Sequence, residues 1–147
     1  LRDDLDFVFV MGGINDVCNK LPLGKMGDVK DTTIYGALDV LVKKLLARYP
    51  AHEGTKIIFS NYCNWDQVPH IRQDMTWNDF LKAIDEVCGL YGIPVCNMSK
   101  EVGISAYSDT DYYYWKQQNG YHDAHPKQVG ADVIAKYVAN WLRNTYS

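Results

Sequence analysis

The stretch that decides the fold is Leu5-Asp6-Phe7-Val8-Phe9-Val10-Met11-Gly12-Gly13-Ile14-Asn15-Asp16. Its first half, Leu5 to Val10, is short, rich in Val and Phe, and apolar on both faces, as a buried parallel strand reads. Gly12 and Gly13 end it, and glycine there lets the backbone turn sharply and approach a ligand closely. Asn15 then offers a neutral side-chain donor at the end of the strand. Such a donor suits an oxyanion hole, where charge develops on a carbonyl oxygen. The plainer reading of the same residues is a Gly-Gly turn followed by a capping Asn15 or Asp16. No G-x-G-x-x-G occurs, so this is not a dinucleotide site.

Downstream, a mixed loop from Asn19 to Asp31 leads to the cleanest amphipathic pattern in the chain. Ile34, Ala37, Leu38, Leu41, Val42, Leu45, Leu46 and Tyr49 recur at helical spacing. Thr32 or Thr33 is placed to cap this helix, and Pro50 marks its end. Lys56 to Asn61 reads as a second buried strand. A second helix follows, capped by Thr76, with Trp77, Phe80, Leu81, Ile84, Val87, Cys88 and Tyr91 on its apolar face and Gly92 as a left-handed close. Ile93 to Met98 reads as a third short strand, and Ser99 to Tyr121 as irregular. Pro126 is expected to open a last helix. Its buried stripe would be Val129, Val133, Ile134, Tyr137, Val138, Trp141 and Leu142. Alternation of strands and helices predicts an α/β protein with a parallel sheet. Ligands of such sheets bind beyond the carboxyl ends of the strands.

With 147 residues the chain is one domain's worth, expected as a single domain over 1–147. A formal charge of −3 and the absence of a Lys/Arg cluster speak against a nucleic-acid partner. No apolar run is long enough for a membrane span. Cys18, Cys63, Cys88 and Cys96 match no zinc spacing. Cys88 and Cys96 read as small buried hydrophobes, while Cys18 and Cys63 each follow a strand and are open to pairing.

A second chemistry-bearing segment is His122-Asp123-Ala124-His125-Pro126, read as a loop before the last helix. An aspartate can hold a histidine tautomer and stabilise the imidazolium formed in general-base catalysis. The plainer alternative has His125 capping the helix and Asp123 complementing its dipole. Metal binding by His122 and His125 is a weaker third reading, since further ligands are not apparent.

Together, the two segments make this chain resemble the SGNH (GDSL) hydrolase family. Gly13-Ile14-Asn15-Asp16 matches one motif of that family, and His125-Pro126 with Gly130 matches its last. The resemblance implies a flavodoxin-like three-layer α/β/α sandwich with a parallel sheet. It also implies a serine esterase or acetylhydrolase, including carbohydrate deacetylases, acting through an acyl-enzyme on a small-molecule or carbohydrate acyl ester. Carried over by position, Asn15 donates to the oxyanion, Gly13 permits that approach, and His125 is the general base. No cofactor and no metal are implied.

Two departures follow from the same motifs. The family's Gly-Asp-Ser does not occur, and the serines present are Ser60, Ser99, Ser105, Ser108 and Ser147. Ser60 ends a strand, but in Phe-Ser-Asn-Tyr rather than in a glycine-bearing turn. The resemblance therefore implies that residues 1–147 are the C-terminal part of a hydrolase. Its first strands and serine would lie in an N-terminal segment or a separate chain, and Leu5–Val10 would be left with an unpaired apolar edge. Second, the family's aspartate lies three residues before the histidine, a position held here by His122. Asp123, two before His125, is the preferred orienter, with a backbone carbonyl, Asp109 or Asp111 as substitutes.

The aromatic run Asp111 to Lys116 is expected to pack or to wall a pocket, although aromatic faces also stack on sugars. Trp65 and Asn64 are expected at the substrate cleft, and His52 at the surface. The rival functions are a non-catalytic binding domain of the same fold and a flavodoxin-like nucleotide-binding module.

Overall fold

In a computed structural model of the chain, the described residues are 4–66, 71–105, 107 and 110–146. They fall into two compact units, Leu1–Asn61 with Pro69–Val95, and Tyr62–Val68 with Cys96–Ser147. Asp109, Ser108 and Ser147, named above, lie outside the described residues.

The first unit carries the parallel sheet. Strand β1 (Phe7–Val10) pairs in parallel with β2 (Lys56–Ser60), Val8 opposite Ile57 and Val10 opposite Phe59. The sheet order is β1-β2-β3, and the chain passes from the first unit to the second within β3 (Val95–Cys96). Central β2 is the buried strand, with Ile57, Ile58 and Phe59 at 7, 0 and 3% exposure. β1 departs from the expectation of burial on both faces, because Phe7 is 45% exposed. It is an edge strand, so only its inner side chains have the sheet and helices to pack on.

Helix α1 (Ile14–Cys18) is a short element that hydrophobic periodicity does not reveal. Helix α2 (Ile34–Arg48) is where the pattern puts it, with Ile34, Leu38, Val42 and Leu45 buried. Thr33 Oγ1 accepts the Gly36 N–H at 3.1 Å and itself donates to Asp28. Helix α3 (Trp77–Leu90) begins in a full capping box: Thr76 Oγ1 accepts the Asp79 N–H, and Asp79 accepts the Thr76 N–H. Gly92 closes it at φ +66°. α2 and α3 are cross-pinned. Tyr35 donates to Glu86 at 2.5 Å, and Tyr91 donates to Asp39.

The second unit contains α4 (Met98–Glu101), α5 (Thr110–Tyr113), β4 (Tyr114–Lys116), β5 (His122–Pro126) and α6 (Gln128–Tyr146). Ser99–Tyr121 is therefore not wholly irregular, and His122–Pro126 is a strand rather than a loop. β4 and β5 form an antiparallel hairpin in which Tyr114 faces Pro126 and Lys116 faces His122, with an irregularity between. Pro126 ends β5 instead of opening α6, because Lys127 N–H still bonds the Tyr113 carbonyl at 2.8 Å and holds the chain extended. The expected stripe of α6 is only half-buried, and Gly130 is its one buried residue. A Cβ at Gly130 would meet the Tyr113 carbonyl oxygen at 2.6 Å.

All four cysteines are free thiols, and Cys63, Cys88 and Cys96 are buried. Burial pushes the Cys88 thiol up to about 12 and Cys96 to about 11. Among the described residues no helix is long and apolar enough to cross a membrane.

Candidate active site

Gly13 is held at φ +101°, left-handed, and its carbonyl starts α1 by accepting from Asp16 and Val17 N–H at 3.1 and 3.2 Å. A Cβ at Gly13 would also lie 3.0 Å from the Phe80 ring. Glycine is thus required there by conformation and by space. Asn15 and Asp16 are exposed, and no side chain caps α1, so the capping explanation of these residues does not hold. Beside them lies a cavity of about 100 Å³, lined by Gly12, Gly13 and Asp16 and by apolar Ile34, Leu38 and Phe80.

In the second unit, β5 builds a carboxylate–imidazole pair. His125 Nδ1 stands 2.6 Å from Asp123 Oδ1, which also accepts the His125 N–H at 2.8 Å. Gln117 Nε2 donates to the other carboxylate oxygen at 3.3 Å. Burial works to raise the Asp123 pKa, but the hydrogen bonds from His125 and Gln117 outweigh it and hold the carboxyl below its ordinary value. The His125 side chain is 89% exposed. With Nδ1 engaged, Nε2 is the nitrogen through which the ring can take a proton from an incoming group.

The neighbouring histidine does something else. His122 is 6% exposed and clamped by two carboxylates, Asp66 Oδ2 at 2.7 Å from Nδ1 and Asp111 Oδ1 at 2.9 Å from Nε2. Asp66 Oδ1 also accepts the His122 N–H at 3.0 Å. Burial lowers the His122 pKa, yet the two carboxylates reverse this and raise it above the ordinary value. Both ring nitrogens are committed, which corrects the reading of His122 as a metal ligand. It also corrects the reading of Asp111 as a substitute orienter for His125. Asp66 was missed, because 56 residues separate it from His122 and no local pattern couples them.

Other expectations are redistributed. Trp65 is 6% exposed and donates from Nε1 to the His122 carbonyl, so it is buried against β5. Asn64 donates to the Ser99 carbonyl at 3.2 Å. Of the aromatic run, Tyr114 is buried as expected, whereas Tyr112 and Trp115 are exposed. His52 lies at the surface, 83% exposed. Ser60 is 1% exposed, closed to any substrate in this arrangement.

No family model and no curated protein matches the chain. Solved structures do. A protein of Lactobacillus plantarum, 24% identical, aligns over 100% of this chain and 71% of its own with a TM-score of 0.85. A protein of Bacteroides ovatus named for its likeness to GDSL lipases, 18% identical, aligns over 95% of this chain and 54% of its own at 0.61. The lipase/acylhydrolase of Enterococcus faecalis, 16% identical, aligns over 95% of this chain and 60% of its own at 0.56. At these identities the likeness is one of fold. The chain has a mixed α/β fold with a parallel three-stranded sheet, similar to that of these structures, and it spans little more than half the length of the last two.

Proposed function

We propose that residues 1–147 are the C-terminal part of one SGNH-type hydrolase domain, a three-layer sandwich, whose activity is serine ester hydrolysis through an acyl-enzyme. The observation that carries this is the Asp123–His125 pair on β5, directly ahead of α6. His125 accepts the proton of the attacking serine and later returns it to the leaving alcohol. Asp123 holds the ring by Nδ1 and stabilises the imidazolium. Asn15, with Gly13 beside it, donates to the oxyanion of the tetrahedral intermediate. The apolar cavity against Gly13 has the chemistry of a receptor for a small acyl group. Ser60 is buried and no Gly-Asp-Ser occurs, so the nucleophile is assigned to a serine outside these residues. The substrate is a small-molecule or carbohydrate acyl ester, and no cofactor is required.

The test is hydrolysis of p-nitrophenyl acetate by the longer protein carrying such a serine. An acetyl-enzyme burst is expected, with turnover reduced roughly 10²–10⁴-fold by His125→Ala. Unchanged turnover in that variant overturns the assignment of His125, and absence of turnover in the unmutated protein leaves a non-catalytic binding domain of the same fold.

A further inference from the structure

The strand that carries the Asp123–His125 pair is fastened at both ends by one short helix, α5. A two-stranded hairpin is marginal in water on its own, so whatever fastens β5 decides how firmly the pair is kept. At the start of β5, His122 is gripped from the segment after β2. Asp66 takes its backbone N–H at 3.0 Å and faces Nδ1 at 2.7 Å, and Trp65 Nε1 donates to its carbonyl at 3.0 Å. Asp111 of α5 closes the grip, with Oδ1 2.9 Å from Nε2. Just past the end of β5, Lys127 donates from Nζ to the Asp111 carbonyl and from its backbone N–H to the Tyr113 carbonyl, 2.8 Å away. α5 thus ties down the residue before Asp123 and the second residue after His125.

The two carboxylates at His122 are unlike. Asp66 is 16% exposed and binds both ring and backbone. Asp111 is 68% exposed, and its other oxygen lies 3.7 Å from Nζ of Lys116, which sits opposite His122 on β4. Tyr107 stands against the Asp66 segment, its hydroxyl donating to the Trp65 carbonyl at 3.0 Å. Protonated His122 donates to both carboxylates. When it gives one proton to water, the proton held by Asp66 stays on Nδ1, and Nε2 turns a lone pair on Asp111 Oδ1, acceptor against acceptor. Asp111, the exposed partner, then leaves for Lys116 and water. We propose that His122 and Asp111 are positioning residues that hold the Asp123–His125 pair through β5, and that loss of the His122 proton frees α5 and slackens the pair. Burial opposes the charge on His122, but the two carboxylates more than offset it, so the release lies above the ordinary histidine value. The bearing of this brace on catalysis rests on the ester-hydrolase reading of His125.

The test is ring-nitrogen NMR of the histidine-labelled longer protein as a function of pH. The His125 signals are expected to carry an inflection at the pH where His122 itself titrates, and kcat for p-nitrophenyl acetate to fall roughly 10–10²-fold across it with KM held. Asp111→Ala removes the tie at every pH, so the His125 inflection should vanish and kcat should stay at the lowered level throughout. Asp111→Asn supplies an amide that accepts from the protonated ring and donates to the neutral one. In that variant the inflection and the fall in kcat should both disappear, with kcat at its higher level. A merely structural clamp would change thermal stability and leave the His125 signals unlinked to His122. That result, or a His125 inflection that persists in Asp111→Asn, overturns the proposal. The nitrogen signals need no turnover. A protein that hydrolyses no ester yet shows the linkage overturns the hydrolase reading and upholds the brace. An active protein without the linkage does the reverse.

Discussion

Asp123 Oδ1 accepts twice from His125, from Nδ1 at 2.6 Å and from the backbone N–H at 2.8 Å. The separation of two residues is what β5 requires. Successive strand side chains alternate between faces, so residues two apart share one. His122, one residue earlier, accordingly turns inward and is buried. In a strand, an orienting carboxylate three residues before His125 would point away from it.

Asp123→Asn in the complete enzyme keeps an oxygen for the ring but removes the charge that stabilises the imidazolium. Turnover of an acetyl ester is expected to fall roughly 10²–10⁴-fold with little change in KM. Steady-state kinetics check this, and near-wild-type kcat removes Asp123 from the mechanism.

The His122 clamp predicts a pH dependence of opposite sign on its two sides. Burial disfavours the imidazolium, but Asp66 and Asp111 more than offset this and raise the folded pKa above the ordinary 6.5. A raised pKa means that the clamp's contribution is complete below about 6.5 and is lost as pH rises through the folded value. Asp111 is lowered from 3.8, chiefly by its bond to His122 and then by Lys116. Its share is present above about 3.8 and is lost as pH falls through the lowered value. Thermal unfolding of the wild type should therefore move to lower temperature as pH is raised past neutrality. His122→Gln should flatten that trend, and a parallel slope in the variant would rule the clamp out as its source.

Two glycines predict a reversal of the usual helix preference. Alanine for glycine inside a helix ordinarily stabilises by about 0.5–1 kcal/mol. At Gly36 a Cβ would lie 1.8 Å from the Lys30 carbonyl oxygen, and at Gly130 2.6 Å from that of Tyr113 and 2.9 Å from the Pro126 Cβ. Both alanine variants should lose on the order of 1–3 kcal/mol, Gly36→Ala the more, as read from urea midpoints. A stabilised Gly130→Ala would mean that α6 does not seat against Tyr113 in solution.

Thr76→Ala removes half of the capping box of α3 and should cost about 1 kcal/mol. The Thr76 hydroxyl and then its N–H hold the Asp79 carboxyl below its ordinary value. Its titration, followed by carbon NMR, should consequently shift upward in the same variant.

Much of the first unit is decided within a few residues of chain. The α2 and α3 stripes, the Thr33 and Thr76 caps and the left-handed Gly92 are matters of local spacing, and they are legible for that reason. The left-handed turn at Gly13 belongs with them. The catalytic candidates lie close to such punctuation too: Asn15 is two residues after Gly13, His125 is next to Pro126, and Asp123 is two residues before His125. What the sequence alone did not decide was which residues meet across long separations. Asp66 reaches His122 over 56 residues, and Trp65 donates to the carbonyl of that same residue. His122–Pro126 became a strand because Tyr114–Lys116 came to pair with it, and Pro126 was thereby denied to α6. The α6 stripe shares that dependence, since apolar periodicity marks a face for burial but supplies no partner to cover it. Local propensity acts over a turn of helix or a pair of strand residues. Burial and ion pairing are settled only when distant segments pack, and there the tertiary structure chose.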